Sequence, residues 1–64
     1  MQVNGHTLTD IEISNAANGG RVFIANLIGR RGKVLAGYVC GRVEEDGTFS
    51  NMLHIHGSNQ RRLP

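Results

Sequence analysis

This sequence of 64 residues has one cysteine, one proline and no tryptophan, and its aromatic residues are one tyrosine and two phenylalanines. A single cysteine cannot form the internal disulfides that stabilise small secreted domains, and residues 1–6 lack the basic and apolar regions of a secretory signal. We therefore expect a cytoplasmic protein. The longest apolar run, at 22–28, is interrupted by Asn26, whereas a transmembrane helix needs about 20 apolar residues, so we expect no membrane partner.

The chain is also short for a self-supporting fold. At this length a protein buries only about 60% of the surface that its unfolded form exposes, so a single core supplies little stability. A self-contained enzyme is not expected, and we assign no catalytic residue and no cofactor. Association with another copy would supply the missing stability, and we expect a homo-oligomer.

Nine glycines divide the chain into short segments rich in Val, Ile, Thr and Phe, a pattern that favours strands. Residues 21–28 and 33–43 form a predicted hairpin around a tip at 29–32. A polar turn at 44–47 leads to a third strand at 48–56. We therefore predict a small all-β domain over 1–56 and a polar basic tail, frayed or extended, over 57–64.

Upstream of this meander the pattern allows two structures. Apolar and polar residues alternate over 7–14, which predicts a strand. Thr9 and Glu12 also fit a capping box for a helix over 10–17. We favour the strand because Ile11 and Ile13, two residues apart, would diverge on a helix. A turn at Asn4-Gly5 would bring a further strand to it, giving four or five antiparallel strands.

The strand faces predict a curled or barrel-like sheet that is completed by a second copy. On the last strand, alternation places Phe49, Leu53 and Ile55 on the core face, opposite Met52 and the histidines. The two middle strands are apolar on both faces, and one thin layer cannot cover both. Barrel closure or the N-terminal segment could cover the second face, but we expect a dimer. Its interface is assigned to Val34, Ala36, Tyr38 and Cys40.

Two glycines lie within the predicted middle strand. Gly37 and Gly41 weaken a strand unless the sheet bends there or another backbone comes close. The other explanation is that they lie beneath a large neighbour such as Phe23 or Phe49.

Basic residues give the first functional hypothesis. Six of the seven are arginines, and five of the seven form two clusters. They are Arg30, Arg31 and Lys33 at the hairpin tip, and Arg61 and Arg62 in the tail. A guanidinium binds phosphate with two parallel hydrogen bonds, and a β-ribbon can place such groups against nucleic acid. We predict a regulatory nucleic-acid-binding module, although charged tips also serve only to prevent aggregation.

A protein-binding adaptor or inhibitor that uses a strand edge or the second apolar face is the alternative. Small basic β-proteins occur among phage and plasmid regulators and inhibitors, but no motif assigns this chain to a family. His54 and His56 could bind a metal together with His6 or Cys40. We predict no metal, because structural zinc sites usually contain paired cysteines.

Overall fold

A computed structural model describes all of residues 1–64 as one antiparallel sheet without helices. Its six strands are β1 (Gln2–Val3), β2 (His6–Asn15), β3 (Arg21–Ile28), β4 (Tyr38–Val43), β5 (Phe49–His56) and β6 (Asn59–Arg62). They lie in the sheet in chain order, so each strand pairs with its neighbour in sequence. The predicted all-β meander is confirmed, with six strands instead of four or five. The chain contains no helix of the length and hydropathy needed to cross a membrane.

The sheet curls into a half-barrel whose concave face encloses the core. Leu8 lies on β2, near one edge of the sheet, and Leu63 lies just after β6, at the other edge. Both belong to the same buried cluster. The buried residues of this cluster are Leu8, Phe23, Ala25, Leu27, Val39, Val43, Met52 and Leu63. No polar side chain is buried among them, so apolar burial holds the curl together.

A β-bulge in β2 keeps its apolar residues on the concave face. The pairing with β3 shifts between Thr9 and Glu12, and Asp10 there has a left-handed φ of 53°. Because one extra residue moves all later side chains to the other face, Ile11 joins Leu8 at the core. The predicted strand at 7–14 is confirmed, and the competing helix is not formed.

A second bulge makes the predicted faces of β5 wrong. Its pairing with β4 shifts between Cys40 and Arg42, where Gly41 faces two residues of β5, and Asn51 has a left-handed φ of 52°. Beyond this point the alternation is reversed. Phe49 therefore shares the concave face with buried Met52 and with the two histidines, whereas two residues predicted for the core lie on the convex face. These two are Leu53 and Ile55, which pair with Cys40 and Tyr38.

The predicted middle strand is too long at its start. Residues 33–37 are irregular apart from an isolated bridge between Val34 and Ile28, and β4 begins only at Tyr38. Gly37 has a φ of 85°, and a Cβ at this position would overlap the carbonyl oxygen of Ile55. The chain passes against the backbone of β5 at Gly37, where the strand is interrupted. A close approach of another backbone is one of the two reasons expected for a glycine within a strand.

Both ends of the chain add a strand. Asn4 and Gly5 have left-handed φ values of 50° and 85°, which allow the tight turn between β1 and β2. At the other end the chain turns after His56 and pairs with β5 as β6. The residues predicted as a tail are therefore extended, not frayed, and Leu63 is buried.

Candidate nucleic-acid interface

The meander gathers its turns at two ends of the sheet. We call one of them the tip end; it holds the turns at 4–5, 29–33 and 57–58. The opposite end holds the turns at 16–20 and 44–48, and we call it the acidic end because it carries Glu44, Glu45 and Asp46. Antiparallel pairing of consecutive strands produces this arrangement.

At the tip end, the hairpin turn presents two adjacent arginines. The backbone N–H of Gly29 donates to the carbonyl of Lys33 at 2.8 Å, and that of Gly32 donates to the carbonyl of Gly29 at 3.0 Å. Gly32 has the left-handed φ of 75° that the turn requires. Arg30 and Arg31 occupy the middle of the turn and are fully accessible to a ligand, since both residues and Lys33 are exposed.

The second predicted cluster does not join the first. Arg61 pairs with His54 and Arg62 pairs with Leu53, so the two arginines project from opposite faces of the edge strand β6. Arg61 lies on the concave side and Arg62 on the convex side. The five predicted basic residues thus form a compact group of three at the tip and a pair that is split between two faces.

Charge is unevenly distributed along the sheet. The tip end contains no carboxylate, because Asp10 and Glu12 lie within β2 and the other three acidic residues lie in the 44–48 turn. All three histidines lie on the concave face near the tip end, as the pairing of β1 with β2 and of β5 with β6 shows. The remaining arginines, Arg21 and Arg42, line an open depression of about 810 Å³ beside the acidic residues. The tip end therefore projects a positive potential.

The acidic turn is held together by its own carboxylate. Oδ1 of Asp46 accepts hydrogen bonds from the hydroxyl of Thr48 at 2.6 Å and from its backbone N–H at 3.0 Å. These bonds, the hydroxyl's first, lower the pKa of Asp46 below its ordinary value of 3.8. The hydroxyl of Ser50 also donates to Glu44. These hydrogen bonds hold the shape of a turn that carries three acidic side chains.

The histidines do not assemble with the cysteine into a metal site. Cys40 pairs with Ile24 and Leu53 on the convex face, whereas the histidines lie on the concave face. No group of three or more His, Cys, Asp or Glu side chains in the chain has the spacing to hold a metal ion. The Nε2 atom of His6 is buried without a hydrogen-bond partner.

The predicted interface residues are largely on the convex face, where several apolar side chains lie close together, with Glu12 paired to Ile24 and Arg62 paired to Leu53 on the same face. Val34 is 56% exposed and Tyr38 is 38% exposed, while Cys40 is partly buried. Ala36 lies in the irregular segment, where its carbonyl accepts a hydrogen bond from His54. The patch is wider than predicted, because the bulge in β5 adds two side chains and β3 adds a third that is 41% exposed. These additions are Leu53, Ile55 and Ile24.

Comparison of the chain with protein-family models, curated proteins and solved structures gave no match. The functional conclusions therefore depend on the geometry of these residues.

Proposed function

We propose that this protein is a small non-enzymatic regulator that binds nucleic acid through the exposed turn at its tip end. The observation that carries the proposal is the uneven distribution of charge. Arg30, Arg31 and Lys33 protrude in one turn at an end of the sheet that contains no carboxylate. A phosphate backbone that approaches this turn meets three cationic side chains.

The shape of the hairpin suits this role. The turn lies at the end of a sheet in which β2 and β5 flank the β3–β4 hairpin, so it can contact a phosphate backbone at its surface, where arginine forks bind phosphate with paired hydrogen bonds. The tip and the arginines of β6 are separated by roughly 15 Å, from strand spacing and rise. That distance corresponds to about four base-pair steps along the axis of a duplex. Arg61 and Arg62 would then supply secondary contacts to the same ligand.

Titration of a labelled oligonucleotide, in duplex and single-stranded form, at low and physiological salt tests the proposal. The wild-type protein is expected to bind with an affinity that falls as salt rises, because bound phosphates release counterions. The double variant Arg30→Ala/Arg31→Ala is expected to bind more weakly and to lower the salt slope for duplex by about 1.8, which is about 0.9 for each lost contact.

The chain offers a matched control for this experiment. Arg21→Ala/Arg42→Ala removes the same two charges from the acidic end, and it is expected to leave the salt slope close to that of the wild type. Equal losses in the two double variants would attribute binding to net charge alone and would overturn the assignment to the tip. Absence of binding at low salt would overturn the function itself.

We further propose that two copies pair through the convex face. The chain exposes 4683 Å², whereas a compact monomer of 7.0 kDa exposes about 4,000 Å². The excess of roughly 700 Å² is comparable with the roughly 800 Å² that each partner buries in a standard interface. A twofold dimer on Ile24, Tyr38 and their neighbours would carry two tip ends. A cytoplasmic location fits this function and the free thiol of Cys40.

Light scattering coupled to gel filtration tests the dimer. Ile24→Glu places a charge in the convex patch and is expected to convert a dimer into a monomer. Ile13→Glu makes the same change at an isoleucine that is 50% exposed outside that patch, and it is expected to remain dimeric. A monomeric wild-type protein would overturn the dimer and would favour the second candidate function, in which the same apolar face binds a different protein.

A further inference from the structure

We infer that the β5–β6 hairpin carries a binding site for a single phosphate group, formed by His54, His56, Asn59 and Arg61. These side chains line an open depression of about 240 Å³. The inference goes beyond the proposed function, because the site shares only Arg61 with the residues assigned there and does not include the hairpin tip.

Strand register brings the four side chains together on one face. His54 pairs with Arg61 and His56 pairs with Asn59 across the antiparallel ladder. Directly opposite residues have Cβ atoms about 5 Å apart, and pairs two positions apart share a face. The bulge at Asn51 is what turns both histidines to this face.

The chemistry of the site is that of an anion receptor. Neither β5 nor β6 contains a carboxylate, and the turn between them is Gly57-Ser58. Arg61, His56 and Asn59 make no side-chain hydrogen bonds within the chain. The guanidinium of Arg61 therefore has all of its N–H donors free for an oxyanion, and the amide of Asn59 adds two more.

The hydrogen bond of His54 fixes which ring nitrogen is left for a ligand. Its Nε2 lies 3.0 Å from the carbonyl oxygen of Ala36, and a carbonyl can only accept, so Nε2 carries the proton. In the neutral ring Nδ1 is then an acceptor, which does not suit a phosphate oxygen. Once the ring is protonated, Nδ1 becomes a donor, and an anion held there favours this charged form.

Anion binding at this site is therefore expected to strengthen as pH falls, because protonated imidazole rings add N–H donors and positive charge. The groups that face His54 are Arg61 on β6, Val39 on β4 and the carbonyl of Ala36 in the preceding loop. His56 faces Asn59. No carboxylate on these elements competes with the anion for the two rings.

NMR titration of the full chain with inorganic phosphate tests the site. At about pH 6, signals of the β5–β6 hairpin are expected to shift in a saturable way. Arg61→Ala is expected to weaken phosphate binding about tenfold. Arg42→Ala is the matched control, because it removes one arginine from the acidic end of the sheet, and it is expected to change the affinity little.

A conservative variant and a second anion provide two further tests of the site. Arg61→Lys keeps the positive charge but loses the paired hydrogen bonds of the guanidinium, and it is expected to bind phosphate with intermediate affinity. An NMR spectrum of a folded protein would show that any loss of binding in this variant does not come from unfolding. Sulfate, whose charge does not change with pH in this range, is expected to bind about tenfold more tightly at about pH 5 than at about pH 8. Equal losses in the two alanine variants, shifts outside the hairpin or a flat sulfate profile would overturn the site.

Comparing oligonucleotide binding with binding of inorganic phosphate shows which molecule supplies the phosphate group. The same comparison tests the proposed function separately from the site. An oligonucleotide that shifts both the tip and the β5–β6 hairpin would identify a nucleic-acid backbone as the source. Phosphate binding without oligonucleotide binding would uphold the site for a small phosphorylated molecule and overturn the proposed function. Oligonucleotide binding through the tip, without phosphate shifts at the hairpin, would overturn the site alone.

Discussion

Phe23 and Phe49 stack ring against ring although their strands are not neighbours in the sheet. The ring centroids are 4.0 Å apart and the ring planes differ by 16°. Strand β4 lies between them, and the residue paired with Phe23 there is Gly41. A Cβ on Gly41 would lie 2.8 Å from Cε1 of Phe23 and 2.7 Å from the carbonyl oxygen of Ser50. The two rings meet because the strand beneath them has no side chain at this point.

Gly41→Ala is therefore expected to lower the free energy of unfolding. The new methyl group cannot fit without moving the Phe23 ring and the backbone of β5, and overpacking of this kind costs about 1–3 kcal/mol. Urea denaturation followed by far-ultraviolet circular dichroism measures the change.

A glycine outside the core provides the control for this substitution. In Gly20→Ala, the nearest heavy atom to the new Cβ would be Oδ1 of Asn18 at 3.4 Å, and the φ of residue 20 is not in the left-handed region. Its unfolding free energy is expected to stay within about 0.5 kcal/mol of the wild type. If both alanine variants lost the same stability, the effect would come from glycine replacement in general, and the stacking argument would fail.

Alternation and turn residues in the sequence were enough to predict the antiparallel meander, its two main hairpins and the turn at Asn4-Gly5. They failed where the backbone departs from regular pairing. The bulges at Asp10 and Asn51 occur at residues with left-handed φ, and Asp and Asn adopt that conformation more readily than most residues. Each bulge depends on how two strands pair, which one strand's own pattern does not contain.

Leu63→Ala is expected to destabilise the protein by about 2–3 kcal/mol. The side chain is 7% exposed within the core cluster, and large-to-small changes at such sites remove apolar burial and leave a cavity. Leu35→Ala, at a leucine that is 40% exposed, is the control and is expected to cost less than about 1 kcal/mol. Equal effects in denaturant melts would mean that the end of β6 does not hold the core.

His6→Leu is expected to raise the free energy of unfolding by about 1 kcal/mol. The buried Nε2 of His6 has no hydrogen-bond partner, and leaving a buried polar atom unsatisfied costs about 1–3 kcal/mol. His56→Leu makes the same change at an exposed position and is expected to have little effect in the same denaturation experiment. A clear loss of stability in His6→Leu would show that the imidazole makes a stabilising bond in solution.

Acid is expected to weaken the β4–β5 turn through Asp46. Its hydrogen bonds from Thr48 lower its folded-state pKa below the ordinary 3.8. The stabilisation is therefore complete above that ordinary value and is lost as pH falls through the lowered one. Asp46→Asn removes the titrating group, so the stability difference between wild type and variant is expected to shrink on acidification. Melting curves at a series of pH values measure this difference.

A neighbouring carboxylate gives the comparison for the acid experiment. Glu45→Gln removes a charge from the same turn without touching the hydrogen bonds to Thr48. Its stability difference from the wild type is expected to depend less on pH than that of Asp46→Asn. The reverse order would assign the acid sensitivity to the charge of the turn and not to the Asp46 hydrogen bonds.

The candidate site was only partly visible in the sequence. The cations of the tip are adjacent in the chain, so a short sequence window contains them, and Arg30 and Arg31 lie in the turn as expected. The grouping of His54 with Arg61 was not predicted, because it needs the pairing of a segment expected to be a tail. Residues 57–62 are all polar or glycine, so their sequence does not show the alternation that predicts a strand. The strand forms at the edge of the sheet, and the buried apolar residue there is Leu63, which follows it.

Because every strand pairs with the next one along the chain, each pairing closes a short loop and loses little chain entropy in doing so. Folding rates rise as contacts become more local, so this sheet is expected to form quickly for an all-β protein. During synthesis the hairpins can assemble in order as they leave the ribosome. Leu63 follows β6 and joins the cluster that contains Leu8, so this core is complete only when translation has passed β6.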